Sequence, residues 1–186
     1  MPPKAKIGKE QILQGVVEFV QREGHENLNA RSLAEWLGCS TQPIFYNFEN
    51  MEKLKDEAMR RAWETYERYV HDRTLYDNYP PYKASGMGYV RFAREERELF
   101  KWLFMSERGQ PSVSEVVLPK DIVGWVQNSL SLEMDEAIEF HRTMWVFVHG
   151  IAVMIATGFA TWTDEEVQRA LTDVYQGLRL QKGGKQ

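Results

Sequence analysis

The stretch LGCSTQPIFYNF, Leu37–Phe48, holds three aromatic residues, a proline and several small polar residues, but no charge. It follows NARSLAEW, whose apolar residues have helical spacing. Asn29 is a good N-cap for a helix over Arg31–Leu37, and Ser40 or Thr41 can cap a second helix that runs to the end of the stretch. The sequence therefore predicts two short helices joined by a tight turn.

Three residues have the types and spacing that a helix-turn-helix needs. Ala34 is small enough for close packing of the first helix on the second, and Gly38 suits a left-handed turn. Ile44 is placed to fill the space between the helices. The pattern predicts a helix-turn-helix, although a small core hairpin that reads no DNA stays open as an alternative.

The outer face of the second helix is polar, uncharged and aromatic. Hydroxyl and amide groups can bond to base edges and phosphates, while proline and tyrosine can contact a thymine methyl group or a sugar. Phosphate charge would be met by an N-terminal basic arm (Lys4, Lys6 and Lys9), by Arg31 and by the start of the next helix. The predicted DNA-binding residues are Asn29, Arg31, Ser40, Thr41, Gln42, Pro43, Phe45, Tyr46, Asn47 and Lys53.

The composition is that of an ordinary globular protein. Of the 186 residues, 43% are hydrophobic and 27% are charged, and the net charge of −4 argues against non-specific coating of nucleic acid. The negative excess lies entirely after residue 61, since nine Lys/Arg balance nine Asp/Glu before it. Cys39 is the one cysteine, so we expect no disulfide framework and a reducing cytoplasm as the location.

Helical spacing runs along the whole chain, and strand signals are almost absent, so the predicted class is all-α. Before the quoted stretch, a helix is predicted over Lys9–Glu23. After it, Asn50 can cap a long helix, and the prolines of TLYDNYPPYKASG interrupt the pattern. Later helices are predicted at about 88–94, 95–106, from Pro119, 134–159 and 163–180, with a loop over 107–119.

The stretch ILQGVVEFVQREGHENLNARSLAEWLGCSTQPIFYNFENMEKLKDEAM resembles the DNA-binding domain of the tetracycline-repressor (TetR) family of bacterial transcription regulators, over about residues 7–60. The residues that carry the resemblance are Gly24, Asn29, Leu33, Ala34, Gly38, Ser40, Phe45, Tyr46, Phe48 and Leu54. The resemblance implies an N-terminal three-helix DNA-binding domain, residues 1–60. It also implies a helical domain, residues 61–186, that dimerises and binds a small effector.

The chain departs from the family pattern at three positions. Asn29 stands where threonine is usual, and it caps equally well. Phe45 stands where tyrosine is usual, which removes a hydroxyl contact to phosphate, and Met51 stands where lysine is usual. Each lost phosphate contact should lower the salt dependence of DNA binding by about one unit of slope.

The second domain is rich in aromatic residues, from Tyr82 to Phe159. They can be packed as core, or they can line an apolar effector cavity between helices. The predicted pocket residues are Tyr89, Phe92, Trp102, Phe104, Trp125, Trp145 and His149. Ala152, Ala156 and Ala160 can likewise pack within one subunit or let a second subunit approach closely.

The sequence holds no pattern typical of a metal site, a cofactor site or a catalytic centre. His141 and His149 lie eight residues apart without further ligands nearby, so a buried, hydrogen-bonded histidine is expected rather than a metal ligand. We expect no enzymatic activity. The apolar run from Met144 to Trp162 is long enough to suggest a membrane span, but His149 and two glycines interrupt it.

The sequence therefore predicts a homodimeric regulator that binds operator DNA, with a ligand-responsive repressor as the specific expectation. One alternative is a helical small-molecule-binding or enzymatic protein with a vestigial helix-turn-helix. The other alternative is a membrane-anchored regulator that uses the run from Met144 to Trp162.

Overall fold

The computed structural model describes residues 7–107 and 119–183. All regular secondary structure in these two ranges is helical, which confirms the predicted all-α class. The α-helices are α1 (Lys9–Glu23), α2 (Ala30–Trp36), α3 (Gln42–Asn47), α4 (Met51–Val70), α5 (Pro81–Glu95), α6 (Arg97–Phe104), α7 (Lys120–Leu130), α8 (Met134–Thr157) and α9 (Asp164–Gly183). Short 3-10 turns cover His25–Asn27 and Arg73–Asp77. Most of the loop predicted over 107–119 lies outside the described residues.

The first compact unit contains α1 to α3, most of α4, and α6. Its centre is apolar, because α1 directs Ile12, Val16 and Val20 inward at spacings of four residues. Leu33 and Leu54 complete this core, and each is fully buried. The helix-turn-helix thus packs on an apolar core formed with α1 and α4.

Two ion pairs join α1 to α4 at the surface of this unit. Lys9 Nζ lies 2.7 Å from Glu57 Oε2, and Arg61 contacts Glu10. Exposed pairs of this kind each contribute little to stability. They also pair Lys9, a cation of the predicted basic arm, with a carboxylate of the same chain.

The second compact unit starts at Arg68, within α4, and contains α5, α7, α8 and α9. Phe92 of α5, Phe140 of α8 and Val167 of α9 are buried in its centre. The two predicted domains, residues 1–60 and 61–186, stay a prediction, since compactness within one chain does not test which segments fold alone.

The start of α5 differs from the sequence-based expectation. A helix beginning near Gly88 was predicted, because Pro80 and Pro81 cannot continue a helix, but α5 begins at Pro81 itself. Proline is well suited to the first helical position, where its missing N–H has no partner to lose. The prolines therefore end one helical pattern and begin another.

The apolar run from Met144 to Trp162 is not one continuous helix. The helix α8 ends at Thr157, and Gly158 follows with a left-handed φ of 72°. Phe159, grouped from sequence with the packed aromatics, is 83% exposed. In the described ranges, no helix is both long and apolar enough to span a membrane.

Candidate nucleic-acid interface

The first helix of the helix-turn-helix starts at a reciprocal cap. Asn29 Oδ1 accepts hydrogen bonds from the backbone N–H groups of Arg31, at 3.0 Å, and Ser32, at 3.1 Å. In return, Ser32 Oγ accepts from the backbone N–H of Asn29 at 3.0 Å. The predicted cap at Asn29 is confirmed, and it fixes the start of α2.

The turn between α2 and α3 has the geometry that its glycine favours. Gly38 has a φ of 63°, a left-handed conformation, and its N–H donates to the carbonyl oxygen of Glu35 at 3.0 Å. The next N–H, from Cys39, donates to the carbonyl oxygen of Ala34 at 2.9 Å. Ile44, fully buried, holds α3 against the core.

The outer face of α3 presents uncharged and aromatic side chains. Tyr46 is 83% exposed and Phe45 is 49% exposed, while Ser40 and Gln42 are also exposed. Large aromatic side chains are usually covered in a globular protein, so the exposure of both rings on one short helix is unusual. These four side chains can meet a nucleic acid without moving the helix.

Three other predicted contact residues are half-buried: Thr41, Pro43 and Asn47. Thr41 occupies the N-cap position of α3 but makes no capping hydrogen bond, so the predicted side-chain cap is wrong. Its backbone is already helical, with φ −71° and ψ −14°, whereas a capping residue needs an extended backbone. Asn47 Nδ2 donates to the carbonyl oxygens of Pro43, at 2.8 Å, and Ile7, at 3.5 Å, and so points partly into the chain.

The predicted cations that the structure describes near the interface differ in their surroundings. Arg31 and Lys53 are exposed, and the backbone N–H of Lys53 is bonded to Asn50 Oδ1 at 2.9 Å, as the predicted cap of the long helix requires. Lys9 is paired with Glu57 and lies 5.2 Å from the centre of the Phe48 ring. Lys4 and Lys6 of the predicted basic arm lie outside the described residues.

A cluster of aromatic side chains and a histidine joins α5 to α8 within the second compact unit. His149 Nδ1 lies 2.8 Å from the hydroxyl of Tyr89, and the imidazole stacks on Trp145 with ring centres 4.7 Å apart. Burial lowers the pKa of His149, so its neutral form is favoured at pH 7. Three predicted pocket residues are therefore in contact.

The other predicted pocket residues lie elsewhere. Phe92 packs edge-on against Tyr69, and Trp125 packs against His71. Trp102 and Phe104 belong to the first compact unit. In that unit α6 packs with α1, whereas Tyr89, Trp145 and His149 contact one another within the second unit.

A comparison with known families identifies the chain. The family model of the tetracyclin repressor-like C-terminal domain matches residues 82–176, just over half of the 186 residues. The chain belongs to the tetracycline-repressor family. It is a transcriptional regulator of this family, in agreement with the resemblance seen in its first 60 residues. No curated protein matches the sequence.

In this tetracycline-repressor family chain, the matched region contains both histidines of α8. His141 is buried, and its Nδ1 lies 3.1 Å from the hydroxyl of Tyr82, which confirms the expected buried, hydrogen-bonded histidine. Burial raises the pKa of Tyr82, so its hydroxyl stays protonated and can donate to His141. Among the described residues, no group of three or more metal-ligating side chains is suitably placed to hold an ion.

Sequence reasoning missed a polar junction at the end of α4 in this regulator. Asp72 Oδ2 accepts from Arg91 Nη2 at 2.7 Å, and the Arg91 guanidinium lies 5.0 Å from the centre of the Tyr69 ring. Tyr69 also donates through its hydroxyl to Glu95 at 2.9 Å. Asp72 before a helical turn is a capping signal, but its pairing with α5 depends on packing that the sequence does not display.

Two of the three alanines that could face a second subunit are buried within one chain. Ala152 and Ala156 are buried, so they pack inside one subunit, and Ala160 lies beyond the end of the helix. Apolar residues that stay exposed are found at other positions of the last two helices, namely Val146 at 57% and Leu180 at 75%.

Proposed function

We propose that this tetracycline-repressor family regulator is a sequence-specific DNA-binding repressor. The observation that carries the proposal is the outer face of α3. A capped, tightly turned helix-turn-helix exposes Gln42, Phe45 and Tyr46 on one side while Ile44 is buried on the other. Donors, acceptors and apolar rings suit base edges, thymine methyl groups and sugars.

We further propose that the protein acts as a homodimer on a near-palindromic operator. Two copies of α3 would then enter successive major grooves, about 34 Å apart. The exposed apolar residues Val146 and Leu180 support this part of the proposal, since a second subunit would cover such side chains.

The second unit is proposed to bind a small effector that changes operator affinity. The Tyr89–Trp145–His149 cluster supports this, because a half-buried stack of rings with a hydrogen-bonding histidine can contact an apolar molecule and orient it. An effector can shift the protein between DNA-binding and released states only if it binds them with different affinities. A coupling of about 1–3 kcal/mol is typical of such switches.

Fluorescence anisotropy on DNA from upstream of the gene, against scrambled DNA, tests the proposal. A preference of about a thousandfold or more is expected at moderate salt. If this DNA shows none, selection from a random-sequence pool supplies the operator. Gln42→Ala and Tyr46→Ala should reduce the preference by about 5- to 150-fold each, since one specific contact contributes about 1–3 kcal/mol.

Two variants control for non-specific damage. Gln14→Ala changes an exposed glutamine of α1, and Phe159→Ala removes an aromatic ring as exposed as that of Tyr46. Both should keep operator preference. If the selected DNA binds no better than random DNA, or if the Gln42 and Tyr46 variants match the controls, the helix-turn-helix is vestigial and the alternative of a helical small-molecule-binding or enzymatic protein takes its place.

A further inference from the structure

Lys83, on the first turn of α5, is a half-buried cation that has no acidic partner among the residues that the structure describes. Its Nζ donates to Thr172 Oγ1 at 2.8 Å and lies 5.3 Å from the centre of the Tyr79 ring. Among the described residues, no carboxylate lies within 4.0 Å of this ammonium. An ammonium has three N–H donors, so two remain available for another acceptor.

The surroundings make this unpaired charge unfavourable. Lys83 is the third residue of α5, at the end of the helix where the backbone dipole is positive. Burial lowers the pKa of Lys83, as expected for an ammonium that has lost water without gaining a negative partner. By contrast, Arg91 and Arg94 of the same helix each have a carboxylate oxygen within 2.7 Å.

The neighbouring side chains are arranged to accept an anion. The Thr172 hydroxyl donates to the backbone carbonyl of Gln168 at 2.8 Å and accepts from Lys83, so it holds the ammonium in place. Gln168 Oε1 accepts from the Tyr79 hydroxyl at 3.5 Å, which leaves the Gln168 amide nitrogen as a second donor. The ring of Tyr79 adds an apolar surface beside the two donors.

The charge and the donors limit the kind of anion. One ammonium and one neutral amide match a singly charged, planar carboxylate better than a doubly charged phosphate group, which usually takes more cations or backbone donors. The tyrosine ring suits an apolar body attached to that carboxylate.

We propose that Lys83 and Gln168 bind the carboxylate of a small organic acid, while Thr172 holds the ammonium and the Tyr79 ring contacts the apolar body. These four residues are here named the Lys83 cluster. The cluster shares no residue with the predicted pocket and needs neither the helix-turn-helix nor operator DNA. A ligand thus supplies the negative partner that Lys83 lacks among the described residues.

Thermal unfolding without DNA tests the cluster, with benzoate as the probe and benzyl alcohol as its uncharged counterpart. At about ten times its dissociation constant, benzoate should raise the Tm by about 3–5 °C. Lys83→Met, which keeps the length of the side chain but removes the charge, should abolish this shift. Lys120→Met, a change of an exposed lysine on α7, should keep it.

Lysine acetylation read by mass spectrometry gives a second measurement on the unmodified sequence, so it does not depend on the folding of a variant. Benzoate should slow acetylation of Lys83 severalfold and leave Lys120 unchanged, while benzyl alcohol should protect neither. The proposal is overturned if Lys83→Met keeps the shift, if benzyl alcohol matches benzoate, if inorganic phosphate matches benzoate, or if Lys83 is not protected. None of these outcomes depends on whether the protein binds an operator.

Discussion

At the scale of single residues, local chemistry explains several side chains well. Asn29 and Thr163 each begin a helix, and each accepts the hydrogen bond of a helix cap, in the case of Asn29 as predicted from its residue type. Asn47 and Lys9 were expected to face DNA, but the amide of Asn47 and the ammonium of Lys9 contact parts of the same chain. A residue type limits what a side chain can bind, while its neighbours in space decide what it does bind.

Asp72 should make stability depend on pH in acid. Hydrogen bonds from Thr74 and Arg91 lower the pKa of Asp72 from 3.8 to about 2, so the carboxylate contributes stability that is complete above pH 3.8 and is lost as pH falls toward 2. Asp72→Ala should lower the free energy of unfolding by about 1–2 kcal/mol at pH 7 and remove part of the loss between pH 4 and 2. Urea unfolding measures both effects.

Asp77→Ala is the control for this substitution, because Asp77 is an exposed residue at the end of the same 3-10 turn. It should leave stability within about 0.5 kcal/mol of the unsubstituted protein. Equal losses in the two variants would contradict a specific role for the Asp72 hydrogen bonds.

His149 should titrate below the usual range for histidine. Burial between Tyr89 and Trp145 lowers its pKa below 6.5, because the charged imidazolium is poorly solvated there. Its neutral form thus contributes stability that is complete above pH 6.5 and declines as pH falls toward the lowered pKa. NMR titration of the imidazole protons measures the pKa directly, and a value above 6.5 would contradict the prediction.

At the scale of secondary-structure elements, one close contact decides how α4 and α5 meet. A Cβ atom on Gly88 would lie 2.1 Å from the backbone oxygen of Tyr69, well inside contact distance. Tyr69 also packs on Phe92, four residues further along α5. A glycine is therefore needed at this position for the two backbones to approach each other. The sequence pattern wrongly suggested Gly88 as a helix start, whereas it lies inside α5.

Gly88→Ala should lower the free energy of unfolding by about 1–3 kcal/mol, since overpacking outweighs the better helix propensity of alanine. Gly124→Ala in α7 is the matched control, because no atom of the described residues outside the local helix backbone lies within 4 Å of the added Cβ. That change should stabilise the protein by up to about 1 kcal/mol. Chemical denaturation of both variants tests the contact, and a stabilised Gly88→Ala protein would show that α4 and α5 are not in close contact.

At the scale of the whole molecule, the proposed regulator needs two subunits and a DNA-binding surface on each. The mass of one chain is 21.8 kDa, so sedimentation equilibrium should give about 44 kDa. Val146→Asp should shift the equilibrium toward the 21.8 kDa species, because a charge would be buried against the partner. Met105→Asp, in the first compact unit, should leave the dimer intact, and dimers of equal stability in both variants would place the interface elsewhere.

The sequence alone determined the all-α class, the helix-turn-helix and most of the caps, because helical periodicity and capping depend on residues within a few positions of one another. The family resemblance in the first 60 residues agrees with the match found over 82–176. The sequence did not separate Trp102 and Phe104 from Tyr89 and His149, since all four are aromatic residues on apolar helix faces.

Only the tertiary structure decided which helices these faces meet. It packed α6 with α1, paired Lys9 with Glu57 and, among the described residues, gave Lys83 no carboxylate partner. Such contacts join residues tens of positions apart, and they depend on how whole helices pack rather than on local pattern.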